Sequence, residues 1–371
     1  MNCTATCSFG LESVLSAELK KMEFLNIAAE NGRVNFTSDL EGIAKANINL
    51  RTAERIYIEL AVFNAVNFDQ LFDNTENIPF HKYIDRYGAI VVNVSSVSSV
   101  LKSIPNCQSI VKKAIIKSLG KYYKTDTFPE TGARYPVNVF IMKDNVRIYL
   151  DTSGSSLYKR GYRKRGGEAP LKETLASAIV QLSYWNKDRI LIDPFCGTGT
   201  ILIEAAMILK NIAPGLYRDF VSERWPVFKD NEWSKVRQFY KSVIKEDNNV
   251  CLYGSDIDSS VIAAARHNAR VAKVSDVINF SVKDFKDITV PSEKGVIICN
   301  PPYGERLEDQ AAASKIYADM SKKFKEFDNW SIYILAPEKV FEDAYGKKAD
   351  KRRKLYNGKI ICNLYQYFGA K

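Results

Sequence analysis

The chain has 371 residues, 46% of them hydrophobic and 26% charged, with a formal net charge of +10. These are globular values, enough for two or three domains of roughly 100–200 residues each. No apolar run approaches the ~18 residues a membrane span needs, and two histidines with scattered cysteines leave little material for a metal site.

The opening Met1-Asn-Cys-Thr-Ala-Thr-Cys7 has no basic start, and Glu12 and Glu18 interrupt the apolar residues after it. No secretory signal is expected, so the protein should be cytoplasmic with reduced thiols and no metal. His81 and His267 read as structural or surface residues.

Charge is unevenly placed: −4 over residues 1–100, +9 over 101–170, −1 over 171–350 and +6 over 351–371. Aromatics interleave with the positive stretches, as in Lys121-Tyr-Tyr-Lys124 and Tyr158-Lys-Arg-Gly-Tyr-Arg-Lys-Arg165. That pattern suits phosphate neutralisation combined with base or ribose stacking, and it also fits a solvated lysine-rich face.

In chain order, Gly10 to Met22 has the apolar stripe of an amphipathic helix, and Asn31-Gly32 is a hairpin signal between two short strand patterns. A helix from Leu40 to Asn47 and a strand from Arg55 to Val62 complete a small α+β unit, 1–65. A second unit, 66–158, has a helical Asp69–Asp73, a strand Ala89–Val94 and a helix Cys107–Lys121 whose basic face carries Lys112, Lys113, Lys117 and Lys121. Strands Val137–Met142 and Val146–Asp151 flank an Asp144-Asn145 turn.

A glycine-bearing connector from Lys159 to Gly167 then leads into a helix expected over Leu171–Trp185. Arg189-Ile-Leu-Ile-Asp193 reads as the first strand of an α/β domain, 159–371. Pro194-Phe-Cys-Gly-Thr-Gly-Thr200 is its turn into a helix, where Gly197 and Gly199 let backbone approach a ligand and the helix N-terminus favours a carboxylate. A second strand ends at Asp256, where nucleoside-binding sheets hold a ribose diol, followed by Ile257. The third strand, Val277–Val282, ends near Asp284 and Phe285. The fourth, Gly295–Cys299, stops at Asn300-Pro-Pro-Tyr303. Two prolines stiffen that turn and leave carbonyls free to accept, so the Asn300 side-chain oxygen, the Pro301 carbonyl and the Tyr303 ring suit a planar base carrying an exocyclic amine.

The run Asn300-Pro-Pro-Tyr-Gly-Glu-Arg-Leu307, together with Asp193–Thr200, Asp256-Ile-Asp258 and Lys159-Arg-Gly-Tyr-Arg163, resembles the THUMP-containing guanine-N2 RNA methyltransferases. The part that resembles most is the half that modifies large-subunit ribosomal RNA. The resemblance implies a Rossmann-like class I methyltransferase domain behind ferredoxin-like and THUMP domains, with S-adenosyl-L-methionine as cofactor. It implies that Asp193, Phe195, Cys196, Gly197, Gly199 and Thr200 cradle the methionine part, that Asp256 and Ile257 meet the ribose side, and that Asp284 and Phe285 meet the adenine. Asn300, Pro301, Pro302 and Tyr303 would hold the target amine.

For RNA, the candidate contacts are Lys112, Lys113, Lys117, Lys159, Arg160, Tyr162, Arg163, Lys164 and Arg165. Ribosomal RNA is the first substrate implied and tRNA the alternative. Ribosomal members can carry a second methyltransferase domain, which is not expected in these 371 residues. Adenine N6 is an exocyclic amine too, so a DNA adenine methyltransferase is the nearest rival. Against it, 68 residues follow Tyr303, few for a target-recognition domain, so recognition is expected from the residues ahead of the α/β domain. A non-catalytic RNA-binding assembly factor is the rival from another class.

Overall fold

The computed structural model describes residues 1–163, 171–229, 231–246, 251–289, 292–304, 307–337 and 341–369. Two compact units are present. One comprises Met1–Cys7, Ser16–Leu157 and Arg218–Phe239, and the other Ser8–Leu15, Tyr158–Tyr217 and Tyr240–Lys371.

The first half of the chain runs β1 (Asn2–Thr6), α1 (Glu12–Lys21), β2 (Leu25–Glu30), β3 (Arg33–Thr37), α2 (Leu40–Asn49), β4 (Arg55–Asn64), α3 (Phe68–Glu76), β5 (Ala89–Val97), α4 (Ile104–Tyr123), β6 (Arg134–Met142) and β7 (Asn145–Asp151). Its strands form one seven-stranded sheet in the order β2-β3-β1-β4-β7-β6-β5. The Asn31-Gly32 signal is the β2–β3 turn, with Gly32 at φ +73°. Asp39 starts α2 by accepting the Gly42 amide at 2.7 Å, the usual way a short acid satisfies a free helix-terminal N–H.

On α4, Cys107, Val111, Ala114, Ile115, Ser118 and Leu119 recur at helical spacing and are buried. The opposite face is basic but largely compensated. Lys112 donates to the Ile90 carbonyl at 2.7 Å and pairs with Glu130 at 2.5 Å, while Lys117 and Lys121 both hold Glu76, at 3.1 and 2.6 Å. Lys113 is exposed.

The second half runs α5 (Glu173–Leu182), β8 (Ile190–Asp193), α6 (Thr200–Leu209), α7 (Glu232–Ser242), β9 (Leu252–Asp256), α8 (Ser259–Val271), β10 (Ile278–Val282), β11 (Gly295–Cys299), α9 (Leu307–Phe324), β12 (Ser331–Pro337), α10 (Phe341–Tyr345), β13 (Lys351–Asn357) and β14 (Ile360–Tyr367). The sheet order is β10-β9-β8-β11-β12-β14-β13. The first five strands in that order are parallel, β14 runs antiparallel to β12, and the edge strand β13 pairs antiparallel with β14. The strand order reverses between β8 and β11, which is where ligands bind in open α/β sheets.

Helix α5 is shorter than the periodicity predicts. It ends where Ser183 caps it and Tyr184 turns to φ +53°. Gly295 opens β11 because a Cβ there would lie 2.3 Å from the Trp330 ring, which packs into the core beside Phe327.

Two features depart from the sequence reading. No strand is read in the positive stretch 351–371, yet most of it forms the β13–β14 hairpin. Leu355 is buried while Lys351, Arg352 and Lys354 are exposed on the edge strand, a charge pattern that discourages pairing with another chain. The stretch Arg218–Phe239, inside the expected α/β domain, belongs to the first unit. There Trp225 stacks on Tyr135 with centroids 5.0 Å apart and donates to the Arg134 carbonyl at 2.9 Å, and the Ser222 hydroxyl donates to the Thr152 carbonyl at 2.7 Å.

Candidate active site

A cavity of about 750 Å³ opens at the C-terminal ends of β8, β9, β10 and β11. Its walls include Asp193, Cys196, Gly197, Thr200, Asp256, Ile257, Asp284, Phe285 and the whole run Asn300–Tyr303, so the structure brings the tips of four strands to one place.

The loop after β8 is built on carboxylates. Asp193 is buried and accepts the Phe195 amide at 3.1 Å. Burial, and then the nearby Asp256 charge, push its carboxyl up to about 8. Asp256 is half-buried, with Oδ2 accepting the Gly197 amide at 3.1 Å and Oδ1 the Asp258 amide at 3.1 Å. Both glycines of the loop have positive φ, +49° at Gly197 and +84° at Gly199. A Cβ on Gly199 would sit 2.8 Å from Phe280, whereas one on Gly197 would meet no atom within 4 Å. Close packing therefore demands the second glycine, and the left-handed turn over an open cavity demands the first.

Thr200 begins α6 and receives a hydrogen bond from the Arg163 guanidinium at 2.6 Å. The Cys196 thiol is buried, and burial pushes its ionisation up, so it stays protonated; this fits a small, inert side chain.

Phe195 and Phe285 have centroids 4.9 Å apart and form an aromatic wall. Ile257 lies on the cavity with 72% of its surface exposed, an apolar side chain left uncovered beside the two acids. Asp284 is half-buried and accepts the Lys286 amide at 2.9 Å.

At β11 the Tyr303 hydroxyl donates to Asn300 Oδ1 at 2.5 Å, and the Tyr317 hydroxyl, from α9, donates to the Pro302 carbonyl at 2.8 Å. Burial holds the Tyr303 phenol far above its ordinary pKa, so it is a hydrogen-bond donor. Glu305 and Arg306 lie outside the described residues.

Three RNA-contact candidates of the connector are placed elsewhere. Arg160 and Tyr162 are each 4% exposed: Arg160 Nε lies 3.5 Å from Glu204 Oε1, and the Tyr162 hydroxyl donates to the same oxygen at 3.2 Å. Arg163 is half-buried, with Nη2 donating to the Leu171 carbonyl at 2.9 Å and Nε 3.5 Å from Glu173. These residues pin the connector onto α5 and α6, because the buried carboxylates need cationic and hydroxyl partners. Arg160 and Tyr162, being buried, are not available to RNA. Lys159 is exposed, and Lys164 and Arg165 lie outside the described residues.

Sequence reasoning missed the far wall, made by Asn357, Gly358 and Ile360 of the β13–β14 turn. The signal was present: Asn357-Gly358 between two strand-like runs is the same hairpin cue as Asn31-Gly32.

This strand order, with a glycine loop and acids at successive strand tips, agrees with the description "RMKL-like, methyltransferase domain", which matches residues 160–366. The chain belongs to this methyltransferase family. The ferredoxin-like domain described for RlmL matches residues 2–57 and the THUMP domain residues 65–151, so the expected fold class is the one found. The chain is 45% identical over 368 residues to "Putative RNA methyltransferase YpsC" of Bacillus subtilis (strain 168), covering 98% of this chain and 95% of that one. It is 35% identical over 366 residues to the ribosomal RNA large subunit methyltransferase K/L of Psychromonas ingrahamii, covering 96% of this chain and 49% of that protein. It thus spans about half the length of the K/L relative. Among solved structures, "SMU.472, a putative methyltransferase complexed with SAH" superposes with a TM-score of 0.94 at 39% identity, covering 100% of this chain and 98% of that one.

Proposed function

We propose that this protein is a cytoplasmic S-adenosyl-L-methionine-dependent RNA methyltransferase that methylates the exocyclic N2 of a guanosine, in large-subunit ribosomal RNA first and tRNA as the alternative. The observation that carries the reading is the placing of Asp193, Asp256, Asp284 and Asn300 around one cavity.

The residues fit the cofactor. Asp193 is a buried acid whose charge lacks a cationic partner among the described residues, which suits an ammonium group. Asp256 at the tip of β9 suits a ribose diol, and the Phe195–Phe285 wall with Ile257 suits a flat apolar ring. Bound there, the cofactor supplies an electrophilic methyl on a sulfonium.

An exocyclic base nitrogen is a weak nucleophile because its lone pair is delocalised into the ring. Asn300 Oδ1 and the Pro301 carbonyl would accept the two N–H groups and aim the nitrogen, so positioning provides much of the catalysis. The proton leaves after transfer, when the nitrogen is cationic and acidic, so no histidine is required.

RNA capture falls to the first unit. Its sheet carries a polar cavity of about 880 Å³ lined by Arg134, Arg224, Asn93 and Asn138, with Asp219 and the Arg55–Asp151 ion pair also on its walls. Arg134 and Arg224 are exposed and have no ion-pair partner among the described residues, which fits them for phosphate.

The test is transfer of labelled methyl to total RNA and, in parallel, to genomic DNA from cells lacking the gene, followed by nucleoside mass spectrometry. N2-methylguanosine in ribosomal RNA supports the proposal, and N6-methyladenine in DNA as the main product refutes it.

A further inference from the structure

Asn357 is the last residue of β13, followed by Gly358 at φ +62° and paired in register with Ile360. The hairpin runs back along β12, the neighbour of β11, and so returns a residue 57 positions downstream to the cavity that Asn300 lines. There Asn357 Nδ2 donates to the Tyr303 hydroxyl at 3.3 Å, and the same hydroxyl donates to Asn300 Oδ1 at 2.5 Å.

The three groups form a directional chain. An amide NH2 can only donate, so the Tyr303 hydroxyl proton cannot point at Asn357 Nδ2; of the acceptors left around it, Asn300 Oδ1 at 2.5 Å and the Cys362 sulfur, the amide oxygen is much the stronger and takes the proton. Asn300 must then turn its oxygen, and not its NH2, toward Tyr303. An amide oxygen has two lone pairs, so one remains for an incoming N–H. If Asn300 were flipped, its NH2 would face the target amine, donor against donor.

We infer that Asn357 is a positioning residue that fixes the orientation of the Asn300 amide through the Tyr303 hydroxyl, and so keeps an acceptor aimed at the amine to be methylated. The inference rests on the proposed amine-methylating function. It also gives the Tyr303 hydroxyl a role separate from any stacking by its ring.

Polarity reversal tests it. In Asn357→Ala the hydroxyl loses its amide donor but still donates to Asn300, and kcat should fall about fivefold, the worth of one modest hydrogen bond. In Asn357→Asp the carboxylate accepts the hydroxyl proton and turns Tyr303 into an acceptor, so Asn300 flips and kcat should fall about a hundredfold, as on losing an aligned polar group. Removing the hydroxyl cuts the chain: Tyr303→Phe with Asn357→Asp should be faster than Asn357→Asp alone and match Tyr303→Phe alone. RNA KM and S-adenosylhomocysteine affinity should change less than about twofold throughout. Equal rates for the Ala and Asp variants, or additive losses in the double variant, would overturn the inference.

If Asn357→Asp does not fold, Asn357→Gln against Asn357→Glu repeats the comparison one methylene out. A second readout does not depend on activity. In asparagine-15N-labelled protein, the Asn300 NH2 resonances, identified by their loss in Asn300→Asp, should move downfield in Asn357→Asp as they gain Tyr303 for an acceptor. Unmoved resonances would likewise overturn it. A wild type that methylates neither RNA nor DNA refutes the proposed function instead, and leaves the chain to be judged by this spectrum.

Discussion

The Arg163 guanidinium donates to the Thr200 hydroxyl at 2.6 Å, tying the connector before the α/β sheet to the first residue of the helix that closes the candidate cofactor loop. Arg163→Ala should therefore weaken S-adenosylhomocysteine binding about fivefold, the worth of ~1 kcal/mol in loop order, and leave the salt dependence of RNA binding unchanged. Calorimetric titration and RNA binding at several salt concentrations check both halves. A flattened salt slope with unchanged cofactor affinity would instead return Arg163 to the RNA surface.

Glu204 is fully buried and receives Arg160 and Tyr162 on one oxygen. Breaking a buried pair from one side strands the other charge, at a cost of about 3–5 kcal/mol. Arg160→Met should lower the melting temperature sharply, and Arg160→Met with Glu204→Leu should recover much of the loss. Thermal unfolding of the three proteins decides it, and a double variant no more stable than Arg160→Met would contradict the account.

The Asp193 carboxyl, raised to about 8, gives stability without ligand a definite pH dependence. Its folded pKa lies above its unfolded value, so between those values the folded state binds more protons and stability falls as pH rises from about 4 to 8. Glu173, pushed by burial up to about 7, acts in the same direction over about 4 to 7. A cationic ligand group beside Asp193 reverses the preference, so cofactor affinity should rise with pH by up to about tenfold per unit below 8, with proton uptake replaced by release. Asp193→Asn should abolish that slope. Titration in buffers of different ionisation heat measures it, and a pH-independent affinity would exclude the assigned partnership.

For RNA capture, Arg134→Ala with Arg224→Ala should flatten the slope of log affinity against log salt by about 1.4 on a single strand, at ~0.7 for each phosphate no longer neutralised. Methyl transfer at saturating RNA should be unaffected. Asn300→Ala should show the opposite pattern, with turnover lost and RNA affinity kept. A double-arginine variant with wild-type slope would move the RNA-binding surface to Lys113 and Lys159.

What the sequence determined by itself is what short segments carry: strand, glycine turn and helix at Ile190–Leu209, the acids at Asp256 and Asp284, and the proline-stiffened Asn300–Tyr303. Each depends on backbone rules acting over a few residues, so its meaning survives without knowing its neighbours. Only the tertiary structure decided which charges face water. Tyr158–Arg163 reads as an RNA-binding run, yet an arginine beside a tyrosine looks the same whether its partner is a phosphate or a buried carboxylate 44 residues further on, as Arg160 and Glu204 are. The raised carboxyl of Asp193 was likewise out of reach, because desolvation is a property of the atoms that pack around a group. So was Asn357, whose turn was legible but whose place beside Tyr303 comes from β14 running antiparallel to β12, a pairing no local pattern contains.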